Sequence, residues 1–585
     1  MVTTLLVLRK NVVRYRCMIT IIIYKSGYGA LNGTTGLISE TYDNGLDQDP
    51  PHRPSRLHDI WLLSAVLVLL TCALVYRISR AGEFSYTEDE AHHAVTGVYF
   101  ADFLRDLPLT HPVQYTYQYY ARYPALGLIH WPPFFHFCEG VLFRVAGPSL
   151  LLARITVVLF ALVGASFWFL LMRELVNARA AVFATLALAF APAVLVYEQS
   201  VMLEVPSLAL CIAASYFWLH VLRDGTRRQY TIFAVFFLLA MFTKQQSAYM
   251  LPFCLLTILA ERKWSLFTDR FNLVIGAIGA ALLGALVVLT VFVHRASVAD
   301  HIEIRLADPL YYLRALPGQF GWPMLLMCIA GIVLSPWWSS KRNTTFMLLW
   351  ILATFLAIAF LAAKSERYTI YWVPAFLYFA SWPFAIKWPD KLWARGAVPT
   401  IAALVLLATG WVAWRIPYPY ITGFGNAAAA LTHADPQGGV VLYDGYWNGN
   451  FVFEMRLRDT QRKFVILTKG LYAMRITLAF GAEELAHNEA QIQELLSAYG
   501  IRYLVLTEQP DYEFPIQEKL REVVQTPQFR LVQRIPAVSS VYPYVSGIRI
   551  YENLQAGPPA AKSLRLRMMT LSNDLEVPLS DLGIR

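Results

Sequence analysis

"WLLSAVLVLLTCALVYRISRAGEFSYTEDEAHH" occupies residues 61–93. Residues 61–76 hold no charged side chain. About 20 apolar residues in a helix cross the ~30 Å hydrocarbon core of a bilayer, and the stretch over 59–78 meets that length. The residues just beyond 78 therefore stand at a membrane surface. There the chain places three acids in a row, Glu88, Asp89 and Glu90, with His92 and His93 close behind.

The rest of the chain reads the same way. Of its 585 residues 57% are hydrophobic and only 15% charged, with a mean hydropathy of +0.45. A soluble domain is charged at about a quarter of its positions, so the apolar excess belongs to a polytopic membrane protein. The formal charge of +9 is then no argument for nucleic acid, because basic residues of membrane proteins collect in cytoplasmic loops. The cysteines, Cys17, Cys72, Cys138, Cys211, Cys254 and Cys328, lie mostly in apolar runs and form no CxxC pair. They read as small buried hydrophobes rather than disulfides or metal ligands. Residues 1–55 fit poorly with the rest: their apolar run is too short to span, no signal-cleavage pattern comes after it, and a disordered or non-native extension is expected.

Eleven apolar stretches predict helices at 59–78, 149–171, 178–198, 206–222, 230–243, 247–260, 271–293, 320–338, 344–362, 368–386 and 396–414. The fifth and sixth are short for spans. Basic residues then orient the chain: Arg173 and Arg179, then Arg227 and Arg228, then Arg262 and Lys263, then Lys341 and Arg342, then Lys387 and Lys391 occupy alternate loops. By the positive-inside bias these loops are cytoplasmic. The segments 79–148, 198–205, 294–318 and 363–367, and everything beyond 414, then face outward.

After residue 415 the composition becomes ordinary. "GGVVLYDG", "KFVILTKG" and "IRYLVLTEQ" read as strands, and "EAQIQELLSAYG" as an amphipathic helix ending at Gly500. The expected fold is a polytopic α-helical membrane protein of about eleven transmembrane helices over 56–414, with a long outer loop at 79–148. A soluble α/β domain comes next over 415–555, then a flexible tail over 556–585.

A loop of about seventy residues between helices is far above the usual connection length and is commonly functional. This one carries the acids and an aromatic, proline-rich stretch, "HPVQYTYQYYARYPALGLIHWPPFFHF". The triplet Asp89, Glu90, Ala91 just after the first apolar helix, and His130-Trp131-Pro132-Pro133 before the second, resemble motifs of the GT-C superfamily of lipid-linked sugar transferases. Within it the nearest likeness is to protein O-mannosyltransferases and lipid A aminoarabinose transferases. Further elements come in family order: Arg154 in the second helix, Lys244 in "FTKQQSAYMLP", and Lys364, Arg367, Tyr368 and Pro374 in "AAKSERYTIYWVPAF". In "EQSVMLEVP" the chain departs from the family, with Glu204 where Asp is usual and Gln199 or Ser200 where Arg is usual.

The resemblance implies a GT-C-like catalytic domain using a polyprenyl-phosphate-linked sugar donor, an acceptor on the outer side of a bacterial inner membrane, and Asp89 as base, with Glu90 orienting the acceptor or holding a cation and Glu88 a solvated neighbour. The chemistry agrees. Displacing phosphate from an anomeric carbon needs a base for the acceptor hydroxyl and cations for the departing phosphate. Lys244, Lys364 and Arg367 are candidates for the second task, with Tyr368 beside them. His93, His130, Glu204 and Arg154 are further candidates for the substrate site. His130, His294 and His301 lack the i, i+4 spacing of zinc ligands, so neither a metal nor another cofactor is expected. A transporter or flippase would hold ionisable residues at mid-membrane, whereas these helix interiors are nearly free of charge. A transferase or polymerase of whole oligosaccharides remains the other alternative.

Overall fold

Leucine, valine and alanine without an interior glycine or proline carry the first helix, α1 (Arg56–Ile78). The computed structural model describes residues 56–293, 310–359, 364–386, 392–468, 470–474, 481–509, 512–541, 545–569 and 573–584. The expected extension at 1–55, together with His294, His301, Lys387 and Lys391, lies outside them.

The segment expected as a long outer loop, 79–148, is instead largely helical. It contains α2 (Glu88–Asp106), α3 (Pro112–Arg122) and α4 (Phe134–Ala146). Helices α2 and α4 pack closely, and their glycines permit it: a Cβ on Gly140 would sit 2.9 Å from the Gly97 carbonyl oxygen. Next in order are α5 (Leu150–Leu175), α6 (Ala178–Ala189), α7 (Pro192–Glu198), α8 (Glu204–Asp224), α9 (Arg227–Met241), α10 (Met250–Glu261), α11 (Arg270–Val293), α12 (Tyr311–Phe320), α13 (Trp322–Val333), α14 (Lys341–Ala359), α15 (Val373–Ala380) and α16 (Leu392–Arg415). Small residues let α5 and α8 cross closely, for a Cβ on Gly164 of α5 would lie 3.0 Å from Ala209 Cα of α8.

The protein is a helical, multi-pass membrane protein. Among the described residues six helices, in α1, α5, α8, α11, α14 and α16, are long and apolar enough to cross. The bent pairs α6–α7 (66°) and α12–α13 (113°) bring the number to eight if each is one span. Every one of the eleven predicted stretches holds helix, yet α9 and α10 have only 15 and 12 residues. The stretch 368–386 breaks into 3₁₀ turns around the eight-residue α15, with Pro374 and Pro383 each starting a new turn.

Beyond α16 the chain forms β1 (Ile421–Thr422), α17 (Phe424–Ala434), β2 (Gly439–Asp444), α18 (Asn448–Arg458), β3 (Phe464–Leu467), β4 (Tyr472–Met474), β5 (Ala482–Glu484), α19 (Glu489–Ala498), β6 (Tyr503–Glu508), α20 (Pro515–Val523), β7 (Phe529–Pro536), β8 (Val538–Ser539) and β9 (Gly547–Asn553). One sheet has the order β3-β2-β6-β9-β7. Its first three strands are parallel, and β9 runs antiparallel to both β6 and β7. The continuous apolar runs of β2, β3 and β6 suit strands buried on both faces. Residues 556–585, expected as a flexible tail, hold a hairpin of β10 (Ser563–Leu566) and β11 (Leu575–Pro578). Leu564 and Leu566 are buried, which supplies the reason the tail is ordered. Gln118 and Arg122 of α3 donate to Asp581 and to the Leu582 carbonyl, and so fix its end.

The sheet unit is bolted to the segment 83–106. Glu83 accepts from the backbone N–H groups of Gly423, Phe424 and Gly425, an acid at the N-terminus of α17. Asn450 donates to the Phe84 carbonyl at 2.7 Å. A Cβ on Gly449 would lie 2.9 Å from the Ala91 Cβ, so only glycine lets α18 lie this close to α2. Buried Arg456 of α18 forks onto Asp102 of α2, with Nε to Oδ2 at 2.9 Å and Nη2 to Oδ1 at 2.6 Å.

Arg456→Ala removes the fork from Asp102, leaving it, among the described residues, with Tyr119 and Arg105 as partners. The expected loss is about 3 kcal/mol, the low end for breaking a buried pair. It is measured as a lowered unfolding midpoint of the detergent-purified chain, and an unchanged midpoint would show that the fork does not hold the sheet unit on.

Candidate active site

The acids Glu88, Asp89 and Glu90 form the first turn of α2. Thr87 stands at the N-cap in extended conformation but makes no side-chain cap, so the acids themselves meet the positive end of the helix. They then diverge. Glu90 is fully buried. Its Oε2 accepts from the N–H groups of Ser85 (3.0 Å) and Tyr86 (2.7 Å), and its Oε1 from the Val201 N–H (2.9 Å) and the Tyr418 hydroxyl (3.0 Å). The carboxylate is saturated by the protein, which corrects the expectation that Glu90 meets an acceptor or a cation. Glu88 is exposed, as expected of a solvated neighbour, but it also accepts from the Trp447 N–H at 2.9 Å and so touches the sheet unit.

Asp89 is the member turned toward other charges. Its Oδ2 lies 3.1 Å from Nη1 of Arg367. The Arg367 Nε is 3.8 Å from Oε1 of Glu204, and that same oxygen is bound by the Lys244 ammonium. Four charges thus alternate in sign: Asp89, Arg367, Glu204, Lys244. The outer pair is 30% exposed on both sides, whereas Glu204 and Lys244 are 0% and 6% exposed. Burial pulls the Arg367 guanidinium down, but the Glu204 charge, then Tyr368 and Asp89, more than offset it and its pKa is raised. The Tyr368 ring lies 5.6 Å from the guanidinium carbon.

A cavity of about 240 Å³ opens nearby, lined by Tyr86, Tyr197, Gln199, Glu366, Arg77 and Tyr418 among others. The Tyr86 and Tyr197 hydroxyls are 3.1 Å apart. Arg77 closes one side, bonded to Gln199 and the Trp414 carbonyl. Behind Asp89, one turn along α2, buried His93 meets His136 of α4 at 2.9 Å and rests against Trp131. Burial pushes His136 down to about 3. Burial, with the neighbouring His136 and Lys244, holds His93 well below its ordinary value. Both rings are therefore neutral at physiological pH, one donating and the other accepting.

Three predicted site residues point elsewhere. Arg154 is buried and donates to the carbonyls of Gly82 (2.9 Å) and Glu83 (3.2 Å), bracing the turn before α2. Lys364 caps the end of α14 at the Ala359 carbonyl and lies over Tyr312. His130 is exposed, and its carbonyl accepts from Gln245 at 3.3 Å. Sequence reasoning missed Tyr86, Tyr197 and Tyr418; nothing in their spacing marks them, since aromatic residues gather at every membrane interface. Among the described residues no group of three or more His, Cys, Asp or Glu could hold a metal ion.

The family of dolichyl-phosphate-mannose-protein mannosyltransferases matches residues 130–293. The solved structure of ArnT from Cupriavidus metallidurans bound to undecaprenyl phosphate superposes with a TM-score of 0.61 at 14% identity, over 86% of this chain and 100% of that one. Its apo form gives 0.58 at 16% identity with the same coverage. The fold is GT-C. A search of curated proteins by sequence found no match. The GT-C resemblance read in the motifs is thus matched by the architecture.

Glu90→Gln would turn an amide NH₂ toward backbone N–H groups that need an acceptor. Each buried donor so stranded costs about 1–3 kcal/mol. The unfolding midpoint of Glu90→Gln is therefore expected to fall well below that of Asp89→Asn, whose half-exposed pair contributes little. Equal midpoints for the two variants would remove the structural role given to Glu90.

Proposed function

We propose that the chain is an integral-membrane glycosyltransferase that moves a sugar from a polyprenyl-phosphate carrier to an acceptor on the outer face of a bacterial inner membrane. The observation that carries this reading is the Asp89–Arg367 pair, half-exposed beside a buried Glu204–Lys244 pair. It joins a base and a phosphate-binding cation in one place, in a fold shared with a protein solved bound to undecaprenyl phosphate.

In the proposed reaction the donor phosphate takes the Arg367 fork, which suits its oxygens. Asp89 loses its partner and is left free to accept the proton of the acceptor hydroxyl. The hydroxyl oxygen attacks the anomeric carbon, the carbon–oxygen bond to phosphate breaks, and its electron pair leaves with the phosphate held by Arg367. A single displacement inverts the anomeric centre. Glu204 keeps Arg367 oriented and Lys244 neutralises Glu204. Tyr368 supports the guanidinium, and His93 contributes a neutral wall. The alternating basic loops support an outward-facing site.

Asp89→Asn keeps the shape and removes the basicity, and is expected to lower transfer of labelled sugar from the lipid carrier by roughly 10²–10⁴ with donor binding nearly unchanged. Arg367→Ala is expected to lower it roughly ten- to a hundredfold through weaker donor use, with partial recovery in Arg367→Lys. Full turnover in Asp89→Asn would sink the assignment of the base, and full turnover in both variants the transferase reading of this site.

Orientation is tested separately. In a cysteine-free background an impermeant thiol reagent applied to intact cells should label a cysteine at position 117, exposed on α3, and leave one at position 227 untouched. The reverse pattern overturns the topology.

A further inference from the structure

The sheet unit has a ligand-sized crevice of its own. From central β2 the chain crosses to β3 on one side, and it returns past β2 to β6 on the other. Adjacent parallel strands whose connections leave in opposite directions create an opening at their carboxyl ends, where open α/β sheets bind ligands. Here those ends are Asp444 on β2 and Glu508 on β6. A cavity of about 400 Å³ lies beside that opening, on the β9 side of the end of β6, lined by Glu508, Tyr512, Arg521, Gln525, Ser546 and Arg549 among others. That volume is within the ~300–1,000 Å³ usual for small-ligand sites.

The walls are built rather than incidental. Arg521 of α20 reaches across to the Asp444 carboxylate, and Gln517 donates to the same carboxylate at 2.9 Å. The Arg521 Nε is buried with no hydrogen-bond partner among the described residues. Its guanidinium lies over the Tyr512 ring at 4.6 Å. Glu508 is held by Arg534, Arg549 and the Ser546 hydroxyl. Each of the three guanidiniums is engaged by one of the two carboxylates, so no strong field of one sign selects an ion. What remains is two tyrosine rings, Tyr512 and Tyr551, among side-chain amides, a hydroxyl and guanidinium–carboxylate ion pairs, which together offer both donors and acceptors to a ligand dense in hydroxyl groups. Only Leu506 adds an aliphatic wall, which argues against an apolar peptide side chain or an acyl chain as occupant.

One wall of the crevice is tied toward the proposed site, because Arg521 binds Asp444 at the end of β2. Three residues beyond Asp444 is Trp447, whose N–H binds Glu88, the neighbour of Asp89. Resting on the transferase reading, we propose that this crevice is a saccharide-binding subsite that holds the glycan portion of the acceptor beside the catalytic pair.

The test uses the full chain purified in detergent, applied to immobilised oligosaccharides of hexose, hexosamine, heptose and uronic acid, and to unglycosylated peptides. Retention of at least one saccharide class is expected, weakened about tenfold or more by Tyr512→Ala and by Ser546→Trp, which fills the crevice. Hydrolysis of the lipid-linked sugar, with water as acceptor, should be unchanged in both variants, which also shows that they are folded. Asp89→Asn should bind the saccharide as wild type does. Saccharide binding that survives Tyr512→Ala and Ser546→Trp overturns the proposal, as does retention of peptides alone or of nothing. Normal crevice binding with no transfer or hydrolysis in the wild type would instead count against the transferase reading and leave the subsite standing.

Discussion

A carboxylate buried without compensation is among the most costly groups a fold can hold, and Glu90 is compensated by four hydrogen bonds. The donors come from residues 85–86 before α2, from Val201 between α7 and α8, and from Tyr418 after α16. The farthest of these donors, Tyr418, is 328 residues from Glu90 in sequence. One side chain thus gathers the entry to α2, the turn that delivers Glu204, and the exit from the last bundle helix. Asp89 is its immediate neighbour, so the position of the proposed base depends on the satisfaction of the buried acid.

The same stretch carries the contacts to the sheet unit. Glu83 caps α17, Phe84 receives Asn450, Glu88 receives Trp447, and Asp102 receives Arg456. Residues 83–106 therefore serve two masters, the bundle on one face and the sheet on the other. Arg154 braces the turn between them by filling the carbonyls of residues 82 and 83. A rigid surface element on which both halves close is what a site needs if its groups must hold a fixed geometry.

Much of the helical frame was legible from continuous apolar runs, because every predicted stretch contains helix. Span lengths were not: the breaks at Pro374 and Pro383 and the 113° bend between α12 and α13 depend on packing partners that hydropathy ignores. The helices within 79–148 escaped notice because α2 and α3 are polar and aromatic in composition and α4, though apolar, has 13 residues, too few to span. In the site, Asp89 and Arg367 are 278 positions apart, and the family resemblance rather than any local pattern joined them. Lys364 and Arg367 could not be separated by sequence. Three residues decide whether a cation caps the end of α14 or reaches Asp89. Nor could the pattern Glu-Asp-Glu say which acid is structural; that depends on which backbone N–H groups converge, a tertiary fact.

The alternating row of charges has a physical asymmetry that bears on how such a site would work. Glu204 and Lys244 are sealed from water, and breaking that pair would leave a buried charge uncompensated. Asp89 and Arg367 are each 30% exposed, so water can replace either partner at modest cost. An arriving phosphate therefore has only one exchange open to it, at the outer pair, while the inner pair stays fixed and keeps Arg367 aimed. The four protein charges sum to zero, so a donor phosphate bound as proposed would make the site net negative. In the proposed reaction that net charge is conserved: Asp89 loses its charge on taking the acceptor proton as the departing phosphate gains one, so negative charge would pass from the carboxylate to the phosphate held by Arg367.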